Sequence, residues 1–199
     1  METTTNESAI RHVTGASVFV ADMPMDDRLL CGWVFYSPMA HGKITSLDIS
    51  GALNAKGVRA VITARDIPGV NQMGPIIHDE PCLAEEEVWF IGQAIALIAA
   101  ETEEDARRAA GMIRLEIDPL PAITDLETAI REGELIAPER KIIRGNIDAA
   151  LSDAQHVLSG NLTTGAQEHW YLETQTALAI PGEGRRSEER RVGKECRSR

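Results

Sequence analysis

Gln167-Glu168-His169-Trp170-Tyr171 sets an amide, a carboxylate, an imidazole, an indole and a phenol side by side. The Gln167 amide is the most interesting of the five. It donates and accepts hydrogen bonds without carrying charge, so it can hold a ligand oxygen without adding to the charge around it. The competing reading is a turn glutamine satisfied by backbone. His78-Asp79-Glu80 is the other cluster that could do chemistry, as a metal site. Consecutive side chains rarely converge on one ion, however, and no second cluster has ligand spacing. A hydrogen-bonded surface loop accounts for these three residues better. His41, after the turn at Pro38, and His169, beside Glu168, read as structural. Cys31 and Cys82 lack metal-site spacing and read as small hydrophobes. No phosphate loop, Ser-His-Asp arrangement or defensible pair of catalytic carboxylates is visible. No catalytic residue and no metal ligand is therefore assigned.

The rest of the chain must position these groups. Only 4% of residues are aromatic, so the core has to be built from Val, Ile, Leu and Ala. The net charge of −11 argues against nucleic acid or an anionic membrane as partner. The longest apolar run, Ala94 to Ala100, is too short to span a bilayer. The polar opening, Met1 to Arg11, has no apolar leader core. With two isolated cysteines outside the basic tail, these features predict a cytoplasmic protein.

Patterning predicts strands at 15–20, 29–36, 43–49 and 58–63, and two strand pieces over 88–100 divided at Gly92-Gln93. The run from Ala94 has no polar interruption and predicts a strand buried on both faces. Ile44 breaks an alternation in which Thr45, Leu47 and Ile49 would share a face. Ser50 is expected to cap a short helix over 51–55. The clearest helix is 102–113, with Thr102 as N-cap, Asp105 three residues on, and an Ala106, Ala109, Ala110, Ile113 face for close packing. A strand at 114–118 follows, making a right-handed crossover candidate. Helices at 126–132 and 147–154 come next, then an antiparallel pair of strands at 156–162 and 169–180.

Several segments together carry a resemblance. Gly165-Ala166-Gln167-Glu168-His169-Trp170-Tyr171-Leu172-Glu173-Thr174 resembles the Gly-Gly-Gln-Glu-His-Phe-Tyr-Leu-Glu-Thr signature of the xanthine dehydrogenase/aldehyde oxidase family. Ala166 stands for a usual glycine and Trp170 for a usual phenylalanine. Val13-Thr14-Gly15 with Asp22-Met23-Pro24, Ser37 to Ile44, Asp66-Ile67-Pro68-Gly69, Gly74 to Pro81 and Gly92 to Leu97 follow the family's order and spacing. The resemblance spans 13–181. Its Gly-Pro-Ile-Ile-His-Asp-Glu-Pro segment leans toward the separate molybdenum-binding subunit of bacterial xanthine dehydrogenases.

This resemblance implies an α/β (α+β) fold. Residues 13–125 would form the family's a/b hammerhead domain, after a disordered 1–12. Residues 126–184 would be the truncated start of the molybdopterin-binding domain. It implies a molybdenum-molybdopterin cofactor with Gln167 hydrogen-bonding an oxygen on the metal. It also implies 2Fe-2S clusters and FAD on a partner subunit, a heterotetramer at full length, and a purine substrate hydroxylated with oxygen from water. Same-family oxidation of aldehydes, nicotinate or carbon monoxide is the alternative, and a non-catalytic scaffold or assembly module is the other. The general base and the substrate-binding residues of the family fall beyond this chain, which is expected to be inactive by itself. Residues 185–199 are basic where the body is acidic. Without them the charge falls to −15, from 13 basic and 28 acidic residues. Arg186 to Arg199 resembles a translated sequencing adapter, so 185–199 is expected to be a non-native disordered tail.

Overall fold

The computed structural model describes residues 7–23, 28–170, 176–181 and 187–190. The chain forms two units, one of Asp26–Ile142 and one combining Met1–Met25 with Ile143–Arg199.

The first of these is organised by strands too apolar to stand alone. β1 (Cys31–Tyr36), β3 (Val58–Thr63) and β5 (Ala94–Ala100) form an antiparallel sheet with β5 at its centre. β2 (Gly42–Asp48), β4 (Glu87–Val88) and β6 (Arg114–Pro119) form a second antiparallel sheet around β2. α2 (Ser50–Leu53) joins β2 to β3, and α3 (Glu103–Ala110) joins β5 to β6. α4 (Leu126–Glu132) follows β6.

α3 begins where the sequence says it should. The Thr102 side chain accepts from the Asp105 N–H at 3.1 Å, and Thr102 Oγ1 donates to the Asp105 carboxylate at 2.8 Å. Ala106, Ala109, Ala110 and Ile113 are buried against Ala52, Val61, Ala96, Ile98 and Ala100. Alanine on both sides lets helix and sheet approach closely, so the packing gain comes from many short contacts rather than large side chains. A second cluster, Ala84, Val88 and Ile95, is flanked by Ile44, Leu47, Leu115 and Ile117.

The structure departs from the sequence expectations at several places. β5 is not buried throughout: Ile95, Ala96, Ile98 and Ala100 are buried, but Leu97 is 39% exposed. A bulge between Ile44 and Ser46 sets Ile44 and Leu47 on one face, with Thr45 exposed. That extra residue is why the alternation looked broken. Ser50 is the first residue of α2 rather than its cap, and its N–H donates to the Asp48 carboxylate at 2.9 Å. β5, α3 and β6 make no same-sheet crossover, because β5 and β6 belong to different sheets.

The remaining departures lie in the other unit. In place of a disordered start and a strand over 15–20, α1 (Glu7–Thr14) precedes a single 3-10 turn at Val20–Asp22. The Asp22 carboxylate takes the Phe19 N–H at 2.9 Å, withdrawing it from any ladder. α5 (Ile147–Asp153) matches expectation, capped by Asn146 through the Ala149 N–H. Residues 156–162 form no strand. Among the described residues, the expected partner run is a strand only as β7 (Leu178–Pro181), and it pairs with β8 (Ser187–Arg190) from the basic tail, antiparallel. Residues 171–175, within the signature segment, lie outside the described residues, as do Pro24 and 191–199.

Candidate functional site

Gln167 lies in an exposed stretch, residues 154–170, that has no helix or strand. The chain leaves α5 at Ala154, whose extended backbone (φ −70°, ψ 128°) ends the helix. Beyond it, Val157, Leu158 and Leu162 are exposed. The His169 N–H donates to the Glu168 carboxylate at 2.9 Å. Trp170, at φ 48°, holds a left-handed backbone that large side chains seldom adopt. Here the Gln167 amide is exposed, so its N–H₂ is open to a ligand. Its chemistry fits a molybdenum-pterin group, since a neutral donor can meet a metal-bound oxygen without crowding an anionic centre with charge.

The other conspicuous side chains fasten the scaffold together. His78, Asp79 and Glu80 are exposed in a loop closed by its neighbours. Asn71 mimics a backbone pair with Leu83, donating to its carbonyl at 2.7 Å and accepting its N–H at 3.0 Å. Gln72 Oε1 accepts from Gly74 N–H at 2.7 Å and Glu80 N–H at 3.0 Å. Among the described residues, no group of three or more His, Cys, Asp or Glu is arranged to hold a metal ion. The sequence reading passed over Asn71 and Gln72, because a loop polar residue shows its partner only once the loop is folded.

Ser37 and Gln93 are the buried polar residues of the scaffold. Ser37 N–H donates to the Gln93 carbonyl at 2.8 Å, and Gly92 N–H returns a bond to the Ser37 carbonyl at 2.9 Å. Gly92, at φ 90°, supplies the left-handed turn this exchange needs. Gln93 Oε1 then accepts the Trp89 N–H at 2.7 Å. The Ser37-Pro38 and Gly92-Gln93 motifs, 55 positions apart, are thus two halves of one fastening.

His41 is a second fastening. Its Nδ1 lies 2.6 Å from the Pro121 carbonyl and its Nε2 lies 2.7 Å from Glu87 Oε1. The Trp89 ring stacks on the imidazole at 4.8 Å. The Pro121 carbonyl first, and Glu87 second, hold the imidazolium above its ordinary value. Four aspartates are shifted the other way by hydrogen bonds to their carboxylates. The donors are Ser50 for Asp48, Thr63 for Asp66, Thr102 and then Arg108 for Asp105, and Thr128 for Asp125. All four close turns or helix starts. These bonds tie the Asp26–Ile142 unit together, while the stretch around Gln167 is exposed.

Such an arrangement defines a class: a two-sheet α/β frame followed along the chain by a short helix and the exposed stretch that carries Gln167. Residues 14–121 match the family described as aldehyde oxidase and xanthine dehydrogenase, a/b hammerhead domain. Residues 131–188, which include Gln167, match the molybdopterin cofactor-binding domain. Aldehyde oxidase 4 of Mus musculus is 42% identical over 88% of this chain and 13% of its own length. Xanthine dehydrogenase of Dictyostelium discoideum is 39% identical over 90% of this chain and 13% of its own. Among solved structures, the aldehyde oxidoreductase of Desulfovibrio gigas superposes with a TM-score of 0.76 at 26% identity, over 92% of this chain and 22% of that one. The chain belongs to the aldehyde oxidase and xanthine dehydrogenase family. It spans about 13% of the length of the curated relatives it matches.

Proposed function

We propose that this chain is part of a molybdenum hydroxylase that oxidises purines, hypoxanthine and xanthine toward urate, with water as the oxygen source. The observation that carries the reading is Gln167, an exposed neutral amide inside the segment matching a molybdopterin cofactor-binding domain. When bound, the molybdenum cofactor would supply the oxidising centre. Gln167 would donate a hydrogen bond to an oxygen of that group and so orient it. The Asp26–Ile142 frame would hold the chain ahead of that segment through the Ser37–Gln93 and His41 fastenings. Electrons would leave through 2Fe-2S clusters and FAD on a partner subunit, in a heterotetramer of the cytoplasm, to NAD. The Gly74 to Pro81 segment supports the purine assignment, and so does the likeness to a xanthine dehydrogenase.

A second reading, oxidation of aldehydes, is favoured by the 42% identity to an aldehyde oxidase. The test is to read the intact locus through the codon for Gly184, express the encoded protein with its cofactor, and compare kcat/KM for xanthine and benzaldehyde. A preference for xanthine of roughly a hundredfold or more, the scale that hydrogen-bond recognition of a polar substrate supplies, supports the purine reading. A preference for benzaldehyde moves the assignment to the second reading. A genuine stop codon after the basic tail would favour a non-catalytic scaffold.

A further inference from the structure

His41 grips the chain's exit from the second sheet with both its backbone and its ring. Its carbonyl accepts the Leu120 N–H at 3.1 Å, and its Nδ1 meets the Pro121 carbonyl at 2.6 Å. On the other side its Nε2 meets Glu87 Oε1 at 2.7 Å. A carbonyl and an ionised carboxylate can only accept, so each needs an N–H from the ring. Imidazole carries hydrogen on both nitrogens only when protonated. The stacked Trp89 ring adds a face that favours a cation. Pro119 and Pro121 have no N–H, so the exit cannot prolong the β6 ladder in the usual way. The bonds from His41 take the ladder's place.

We propose that His41 is a protonation-dependent latch, fixing residues 119–125 ahead of α4 while doubly protonated and freeing them when it loses a proton. A neutral ring can donate to one acceptor only. Its bare nitrogen would then face a second oxygen, lone pair against lone pair. The charged groups on the elements around it are Glu87 on β4, with Glu86 just before it, Lys43 and Asp48 on β2, and Arg114, Glu116 and Asp118 on β6, with Lys43 paired in register to both Glu87 and Asp118. Of these, Glu87 is the one hydrogen-bonded to the ring. The His41 side chain keeps 21% of its surface exposed, so protons can reach it. A raised folded-state value means the latch is fully present below the unfolded histidine value, about 6.5. It is lost as pH rises through the raised value.

The test uses the full 199-residue chain with nitrogen-15 in its histidines. At pH 6, below the unfolded value of about 6.5, both His41 ring nitrogens should show the shifts of protonated imidazolium. As pH rises, the protection of the Leu120 amide, corrected for intrinsic exchange, should fall by about tenfold at the midpoint of the ring titration. Glu87→Gln keeps an oxygen acceptor but removes the charge, and should lower both midpoints together. A neutral ring at pH 6 would overturn the latch. So would Leu120 protection that stays level while His41 titrates, or a Glu87→Gln shift seen in the ring alone.

Discussion

At the scale of single residues, Gln167 and Thr102 show two ways a side chain can be readable. Thr102 acts on atoms three positions away, so its role as a cap is written locally in Thr-Glu-Glu-Asp. Thr102→Ala should cost about 1 kcal/mol, seen as a lower denaturant midpoint at unchanged slope. Gln167 was legible as a candidate only through its neighbours' resemblance to a signature, since an exposed glutamine advertises no chemistry alone. In the intact-length enzyme, Gln167→Ala should lower kcat by about a hundredfold with a smaller change in KM, as expected for loss of one oriented donor at a reacting centre. Steady-state kinetics would reveal it, and an unchanged kcat would remove Gln167 from the site. His41 reads as structural from the turn before it, and its partners lie 46 and 80 positions away. No local pattern could reveal them.

At the scale of elements, α3 packs its alanine face on the sheet of β1, β5 and β3. Ile98 is 1% exposed in a buried cluster made largely of alanines, which cannot expand to fill its place. Ile98→Ala should cost about 2–5 kcal/mol, measured by chemical denaturation, whereas a value below 1 kcal/mol would mean the helix does not seat as described. The same helix start makes an acid-sensitive joint. Asp105 is held below its ordinary value by Thr102 and then by Arg108. A lowered carboxylate stabilises above its unfolded value, about 3.9, and that contribution is lost as pH falls through the lowered folded value. Asp105→Asn should therefore flatten the fall in stability below about pH 4, traced by thermal melts across the acid range. The strands and helices of the frame were legible because their apolar periods are strong. The bulge at Thr45 was not, since one extra residue reads as noise until the partner strand is known.

At the scale of the whole molecule, the frame and its successor differ in how much of themselves they contain. The Asp26–Ile142 unit closes two sheets over two buried clusters. Beyond α5 the apolar residues Leu158, Leu162 and Trp170 are exposed, and the strands expected at 156–162 and 169–180 do not pair with one another. Strand pairing is cooperative and non-local, so an alternating run forms a ladder only when a partner is available. The domain order was legible because the motifs keep the family's order and spacing along the chain. The most direct test of a water-using hydroxylase is isotopic. The intact-locus enzyme, loaded with molybdenum cofactor, would be given xanthine in oxygen-18 water, and the urate weighed by mass spectrometry. Urate labelled with one oxygen from water is the expected result. Unlabelled urate, or a protein that binds no molybdenum and makes none, would contradict it.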